Sequence, residues 1–208
     1  MAGILSAIYF HITVVSGHHN ETLAHVVMLH VLPSMWINSC IIYFFIGAAT
    51  RSAGKPSDHH CPFTANEVGH YNYPFFFGFV LWAWIMTQYA TWLSYSQWAD
   101  CREVGCTSRP GSRMSREGAL LFLSAAFGLV VTGLLAFVLF LLARGRTMRG
   151  FIETMTGTEW IEPYGHLAGH GVIANTEARL GPRSEWWRYA VPFALSPIPS
   201  RLPVPPSL

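Results

Sequence analysis

The sequence predicts an all-α integral membrane protein, a bundle of four transmembrane helices, and three observations predict it. Only 12% of the 208 residues are charged, against about 25% in a soluble domain. Such a chain cannot cover a globular surface with polar groups. Hydrophobic residues make up 51%, and the mean hydropathy is +0.32. Three runs without any charge, 23–50, 74–95 and 118–143, reach the roughly 20 residues that cross a bilayer's hydrocarbon. The chain forms one membrane domain over 1–208, and nothing in it reads as a soluble enzyme.

The elements follow in order. Residues 2–16 are mostly apolar and hold His11, Tyr9 and Ser6. They have neither a basic start nor a small-residue cleavage site, so a retained helix is expected rather than a cleaved signal. At this length it spans with help from its flanks or lies at the interface. Helix 23–50 contains Pro33, which removes one backbone donor and should kink the helix rather than end it. An inner loop follows at 51–73, then helix 74–95, with Tyr71 and Tyr73 at one interface and Trp92, Tyr95 and Trp98 at the other. An outer loop at 96–117 leads to helix 118–143, whose Gly118, Gly128 and Gly133 offer close approach to a neighbour. The C-terminal segment, 144–208, ends in a stretch from Pro192 with six prolines, for which irregular extended structure is expected.

Four crossings put 51–73 and 144–208 on one side. That side holds nine basic residues: Arg51, Lys55, Arg144, Arg146, Arg149, Arg179, Arg183, Arg188 and Arg201. The other holds Arg102, Arg109, Arg113 and Arg116. By the positive-inside rule, the inner loop and both termini face inside. A net charge of +2 gives no footprint for nucleic acid. Four cysteines are too few for a disulfide-built fold. Cys101 and Cys106 can close a small outer-loop disulfide or stay apart, and Cys40 reads as a small apolar residue. His11 with His25 or His30 could ligate haem iron, although intramembrane histidines more often hydrogen-bond between helices. Arg144, Arg146 and Arg149 suit anchoring at an anionic leaflet.

The chemistry concentrates in the inner loop, at Asp58-His59-His60-Cys61. An imidazole beside a thiol lowers its pKa and makes a nucleophile, and a carboxylate can orient that imidazole. Asp, His and Cys together beside a membrane could move an acyl group through a thioester. The plainer reading is a polar juxtamembrane loop.

Beyond those four letters come Pro62, Phe63, Asn66, Gly69, Asn72, Tyr73 and Phe76. They are in step with the core of the DHHC family of protein S-acyltransferases (DHHC-P-W-x-N-N-C-x-G-x-x-N-Y-x-x-F-F), which this chain resembles. Lys55-Pro56 resembles the family's K-P element, and Thr156-Gly157-Thr158-Glu159 its T-T-x-E. Glu162-Pro163-Tyr164-Gly165, Asn175, Gly181 and Trp186-Trp187 are similar to its C-terminal segment. The resemblance implies that Cys61 accepts the acyl group, that His59 is the base and that Asp58 holds it. It makes His60 a zinc-ligand position, and Thr156, Glu159 and Asn175 braces for the loop. It places the acyl chain among helices near Trp82 and Trp84.

The family's loop is a longer cysteine-rich module folded around zinc, and such sites need four closed ligands. Between residues 50 and 73 this chain has one cysteine, Cys61 itself. Glu67 stands where a ligand cysteine is expected, and the upstream ligands are absent. His60, Glu67 and His70 make at most an incomplete set. Phe63 replaces Trp, and Gly157 replaces Thr. No bound cofactor is therefore expected, with zinc and acyl-CoA implied only by the enzyme reading.

A loose loop forfeits the geometry a Cys–His pair needs. The expectation is accordingly a zinc-less, catalytically impaired relative, acting as an accessory subunit of a larger membrane complex. Its partners would be lipid and other membrane subunits, one of which holds the Pro-rich tail. Its membrane would be the mitochondrial inner membrane or an endomembrane. The alternative is an active palmitoyltransferase that uses acyl-CoA through a Cys61 thioester.

Overall fold

A π-helical turn at Val27–Val31 opens the first helix, α1 (Leu32–Thr50). Pro33 sits just past this turn, and the wider winding relieves the clash of its ring with the preceding turn's carbonyl. The computed structural model describes residues 27–54, 57–105, 112–157 and 171–191. The expected helix 2–16, Lys55-Pro56, Cys106, Glu159 and the Pro-rich tail lie outside them. After α1 come strands β1 (Ser57–Cys61) and β2 (Asn66–Gly69) and the long helices α2 (Tyr73–Glu103) and α3 (Arg113–Arg144). Two short helices, α4 (Met148–Thr156) and α5 (Val172–Leu180), precede a 3-10 helix at Arg183–Ala190. By length and composition, Val27–Thr50 and Arg113–Arg144 can each cross a membrane.

Two expectations need correcting. The fold is mostly helical but not all-α, because the inner loop folds as an antiparallel β-hairpin. Neither SDHHC nor NEVG carries the apolar alternation that marks a strand; backbone pairing and the turn decide it. The long helices also outrun their apolar stretches, α2 to Glu103 and α3 back to Arg113. Charge-free sequence measures what lipid can bury, whereas the helix continues wherever its own backbone bonds suffice.

The described residues form two compact units. The first draws on 27–39 and 82–133. Within it the Tyr89 hydroxyl donates to the Leu29 carbonyl at 3.3 Å, and Trp84 Nε1 donates to Thr132 Oγ1 at 3.1 Å. Ser34, Ser39, Thr91 and Thr132 donate to carbonyls four residues back, which satisfies them inside their own helix. The expected glycine contacts are ordinary here. A Cβ at Gly128 would meet Thr87 at 3.6 Å, and one at Gly133 would meet nothing within 4 Å.

The second unit draws on 40–81 and 134–191 and contains the close approach that sequence had placed on α3. The Phe75 ring of α2 occupies the space over Gly47 of α1, and the Phe44 ring of α1 that over Gly78 of α2. Phe44 also stacks on Tyr189 at 6.1 Å, which docks the 3-10 helix. Phe151 of α4 meets Phe137 and Phe140 of α3 at 5.4 and 6.0 Å.

Candidate active site

Strand geometry alone would separate the three residues of interest, because successive side chains point to opposite faces. His59 pairs with Val68, His60 with Glu67 and Cys61 with Asn66, but the next pair is Ser57 with Gly69. Asp58 is therefore the extra residue of a β-bulge. A bulge re-aims a side chain, and here it places Asp58 beside His59. Asp58 and Cys61 are buried while His60 is exposed. The His59 Nδ1 lies 2.8 Å from Asp58 Oδ1, and the same ring is near enough to the Cys61 thiol to shift its charge. Phe76 of α2 meets the ring edge-on at 5.0 Å and fixes its plane.

The hairpin is tied to its surroundings from both ends. Its turn, Pro62 to Ala65, closes with Ala65 at φ 50. Asn66 Nδ2 donates to the carbonyls of Ala48 and Arg51 at 3.0 and 2.8 Å. Asn72, fully buried, donates to the same two carbonyls and to Glu67 O, and accepts from Gly69 N at 2.8 Å. The last carbonyls of a helix have no partners within it. These carboxamides supply them and lock the hairpin to the end of α1.

Asp58 is the junction with the C-terminal segment. Its Oδ1 accepts from the Met148 amide at 3.1 Å, at the start of α4, where the helix dipole favours negative charge. Thr147 caps that helix through Gly150 N at 3.0 Å. The other carboxylate oxygen forms a buried ion pair with Arg179 of α5. Arg179 also donates to Arg146 O at 3.0 Å and lies over the Tyr73 ring, 3.6 Å from its centroid. Asn175, one turn earlier, donates to Ala143 O at 2.9 Å and so caps α3.

These contacts set the charges. Burial alone would raise the Asp58 carboxyl, but the Arg179 charge and the His59 hydrogen bond hold it below its ordinary value. Burial would lower His59; Asp58 and Cys61 instead carry it up to about 9. Burial would raise the Cys61 thiol; His59, the Thr64 hydroxyl and the amides of Thr64 and Phe63 bring it down to about 7. From about 7 to about 9, the pair stands as thiolate and imidazolium.

The residues do not fit a zinc ion. Among the described residues no three of His, Cys, Asp and Glu cluster to hold a metal. His60 is exposed, with Nδ1 3.2 Å from Glu67 Oε1, and Glu67 also accepts from Ser57 at 2.8 Å. His70 lies in the turn after β2, with its ring 5.6 Å from Tyr71 and its pKa lowered by burial and by Arg179. Cys40 is a buried free thiol in α1, and Cys101 is disulfide-bonded.

Of the other expected residues, Thr156 donates to Glu153 O at 3.1 Å at the end of α4, and Trp82 is buried in α2. Sequence reasoning did not find Arg179 or the Met148 amide as partners of Asp58, because they lie 121 and 90 positions away. The only available signal was an arginine among the apolar residues of VIANTEARL. No curated protein matches the chain. Residues 55–155, which run from the hairpin through α4, match the model of the DHHC palmitoyltransferase family. That match gives the chain a DHHC palmitoyltransferase domain and makes it a palmitoyltransferase-like membrane protein.

Proposed function

We propose that this protein is a membrane-bound S-acyltransferase that takes a fatty acyl group from acyl-CoA onto Cys61 and passes it to a protein thiol. One observation carries the reading: the bulge sets Asp58 against His59 at 2.8 Å, and His59 beside the buried Cys61 brings that thiol down to about 7. In the first half-reaction the Cys61 thiolate attacks the thioester carbonyl carbon. The bond from that carbon to the CoA sulfur breaks, and the departing sulfur takes the proton from His59. In the second, an acceptor thiol gives its proton to neutral His59 and attacks the Cys61 thioester, which returns the Cys61 thiolate. Asp58 stays ionised throughout and holds the imidazole.

The expectation of an impaired enzyme rested on a loop too loose to keep this geometry. The bulge, the two asparagine ties and the Arg179 pair argue the other way, since each supplies a constraint that the missing ligands would have given. Four spanning helices, with the hairpin and both termini on the inner side, remain the proposed arrangement. The test is incubation of the purified full chain with labelled palmitoyl-CoA. A hydroxylamine-sensitive label on the wild type, lost in Cys61→Ser, supports the proposal; equal background labelling of both overturns it.

One observation favours a second reading, an accessory subunit of a larger membrane assembly: the ligand position after the motif is Glu67, spent on Ser57 and His60. In that case Cys61 is covered by a neighbour and resists thiol reagents in intact membranes.

A further inference from the structure

The family that this chain resembles folds its loop around a metal; here, among the described residues, no set of donors for one comes together, and the loop is nevertheless built. Something must supply the lost cross-links, and the contacts show where they are. The hairpin touches the end of α1 through Asn66 and Asn72. Those ties hold its base and turn but leave the Asp58 carboxylate free to rotate. Apart from His59, the residue it orients, its partners among the described residues come from the C-terminal segment: Arg179 and the Met148 amide. Arg179 and Asp58 are 3% and 2% exposed, so neither can exchange its partner for water. Arg179 is itself fixed by three surfaces: the Tyr73 ring, the Arg146 carbonyl and Asp58. A planar guanidinium is suited to such a role, because it bonds in one plane and stacks on an aromatic face.

We propose that Arg179 is a positioning residue that replaces metal in this site: it fixes Asp58, and through it His59 and Cys61, so that the nucleophile assembles without zinc. This rests on Cys61 being the acyl-accepting nucleophile. Its core, a metal-free reactive thiol held by an arginine, can be measured without acyl transfer.

The test uses the full chain in detergent or lipid vesicles, with metal content and the alkylation rate of Cys61 as readouts. Substoichiometric zinc, and an alkylation rate that a strong chelator leaves unchanged, are expected of the wild type. Arg179→Met keeps the length and removes the charge; it should move the midpoint of the alkylation pH profile up by about one unit and slow alkylation at pH 7 by about twofold, a roughly fivefold fall in thiolate partly offset by its greater nucleophilicity. Arg179→Lys keeps the cation and should recover most of that loss, which a merely space-filling role would not predict. Stoichiometric zinc, chelator sensitivity, or a folded Arg179→Met with wild-type alkylation would each overturn the proposal. If Arg179→Met does not fold, the zinc and chelator measurements on the wild type still decide. Fast metal-free alkylation in a chain that takes no label from palmitoyl-CoA supports the clamp and overturns only the acyl-transfer reading.

Discussion

His59 and Cys61 share a face of β1 because they are two residues apart, and Asp58 joins them only through the bulge that Ser57–Gly69 and His59–Val68 pairing creates. The thiol's reactivity therefore depends on His59. Replacing it, as His59→Ala, removes the largest influence that lowers Cys61 from 9.0 to about 7. At neutral pH this cuts the thiolate fraction roughly fiftyfold. A more basic thiolate is also a better nucleophile, by about six- to tenfold over this range. Alkylation at pH 7 should thus slow by roughly fivefold to tenfold. The wild-type rate climbs through about pH 7 and then levels, whereas the variant's keeps climbing past pH 9 and overtakes it. Parallel profiles measured with iodoacetamide would show that His59 does not govern the thiol. The three candidate site residues were legible because they lie within four positions of one another. Arg179, 121 positions from Asp58, was not, since no local pattern marks an arginine whose partner arrives through tertiary folding.

The hairpin and the helix pair that carries it can be probed as elements. Asn72 gives its two N–H groups to Ala48, Arg51 and Glu67 carbonyls and accepts from Gly69. Asn72→Asp keeps the acceptor but turns a carboxylate oxygen toward those carbonyls. With a buried acceptor left unserved at about 1–3 kcal/mol, the variant should unfold at clearly lower temperature than the wild type, and Asn72→Ala should lose less. Helix packing offers a paired test. A Cβ at Gly47 would sit 2.1 Å from the buried Phe75 ring, while one at Gly133 meets nothing within 4 Å. Gly47→Ala should cost about 1–3 kcal/mol through forced displacement. Gly133→Ala should be neutral or gain about 0.5–1 kcal/mol through helix propensity. Thermal unfolding in detergent measures both, and equal effects would refute the packing described for α1 and α2. The apolar runs located these helices, because lipid selects for them. They could not say which glycines would be filled, since that depends on where rings from the neighbouring helix fall. Strands with one apolar position between their ends, such as NEVG, give composition nothing to report.

At the scale of the whole chain, side-chain contacts constrain how it crosses a membrane. The Asp58 carboxylate lies between α1 and α2 in sequence, and its partners Met148 and Arg179 lie beyond α3. Groups in direct contact share one side of a bilayer, so an even number of crossings separates them. Helices α2 and α3, with 31 and 32 residues, are about 47 Å long at 1.5 Å per residue, enough for one crossing each. With one crossing each, Gly105 at the far end of α2 is expected on the side opposite Asp58. Lower apolarity in α2 does not weaken this, because Trp84 and Thr132 satisfy each other and Thr87 and Thr91 bond within their own helix. Single cysteines placed at Ser52, Gly157 and Gly105, in a background with the native cysteines removed, should answer a membrane-impermeant thiol reagent in two classes. Ser52 and Gly157 should behave alike and Gly105 oppositely, in sealed vesicles of either orientation. All three responding from one side would break the connection between the Asp58–Arg179 pair and a two-crossing α2–α3 hairpin. A cysteine at Gly105 that alone answers from the outer face would place Cys61 at the inner one, the side that the positive-inside rule predicts.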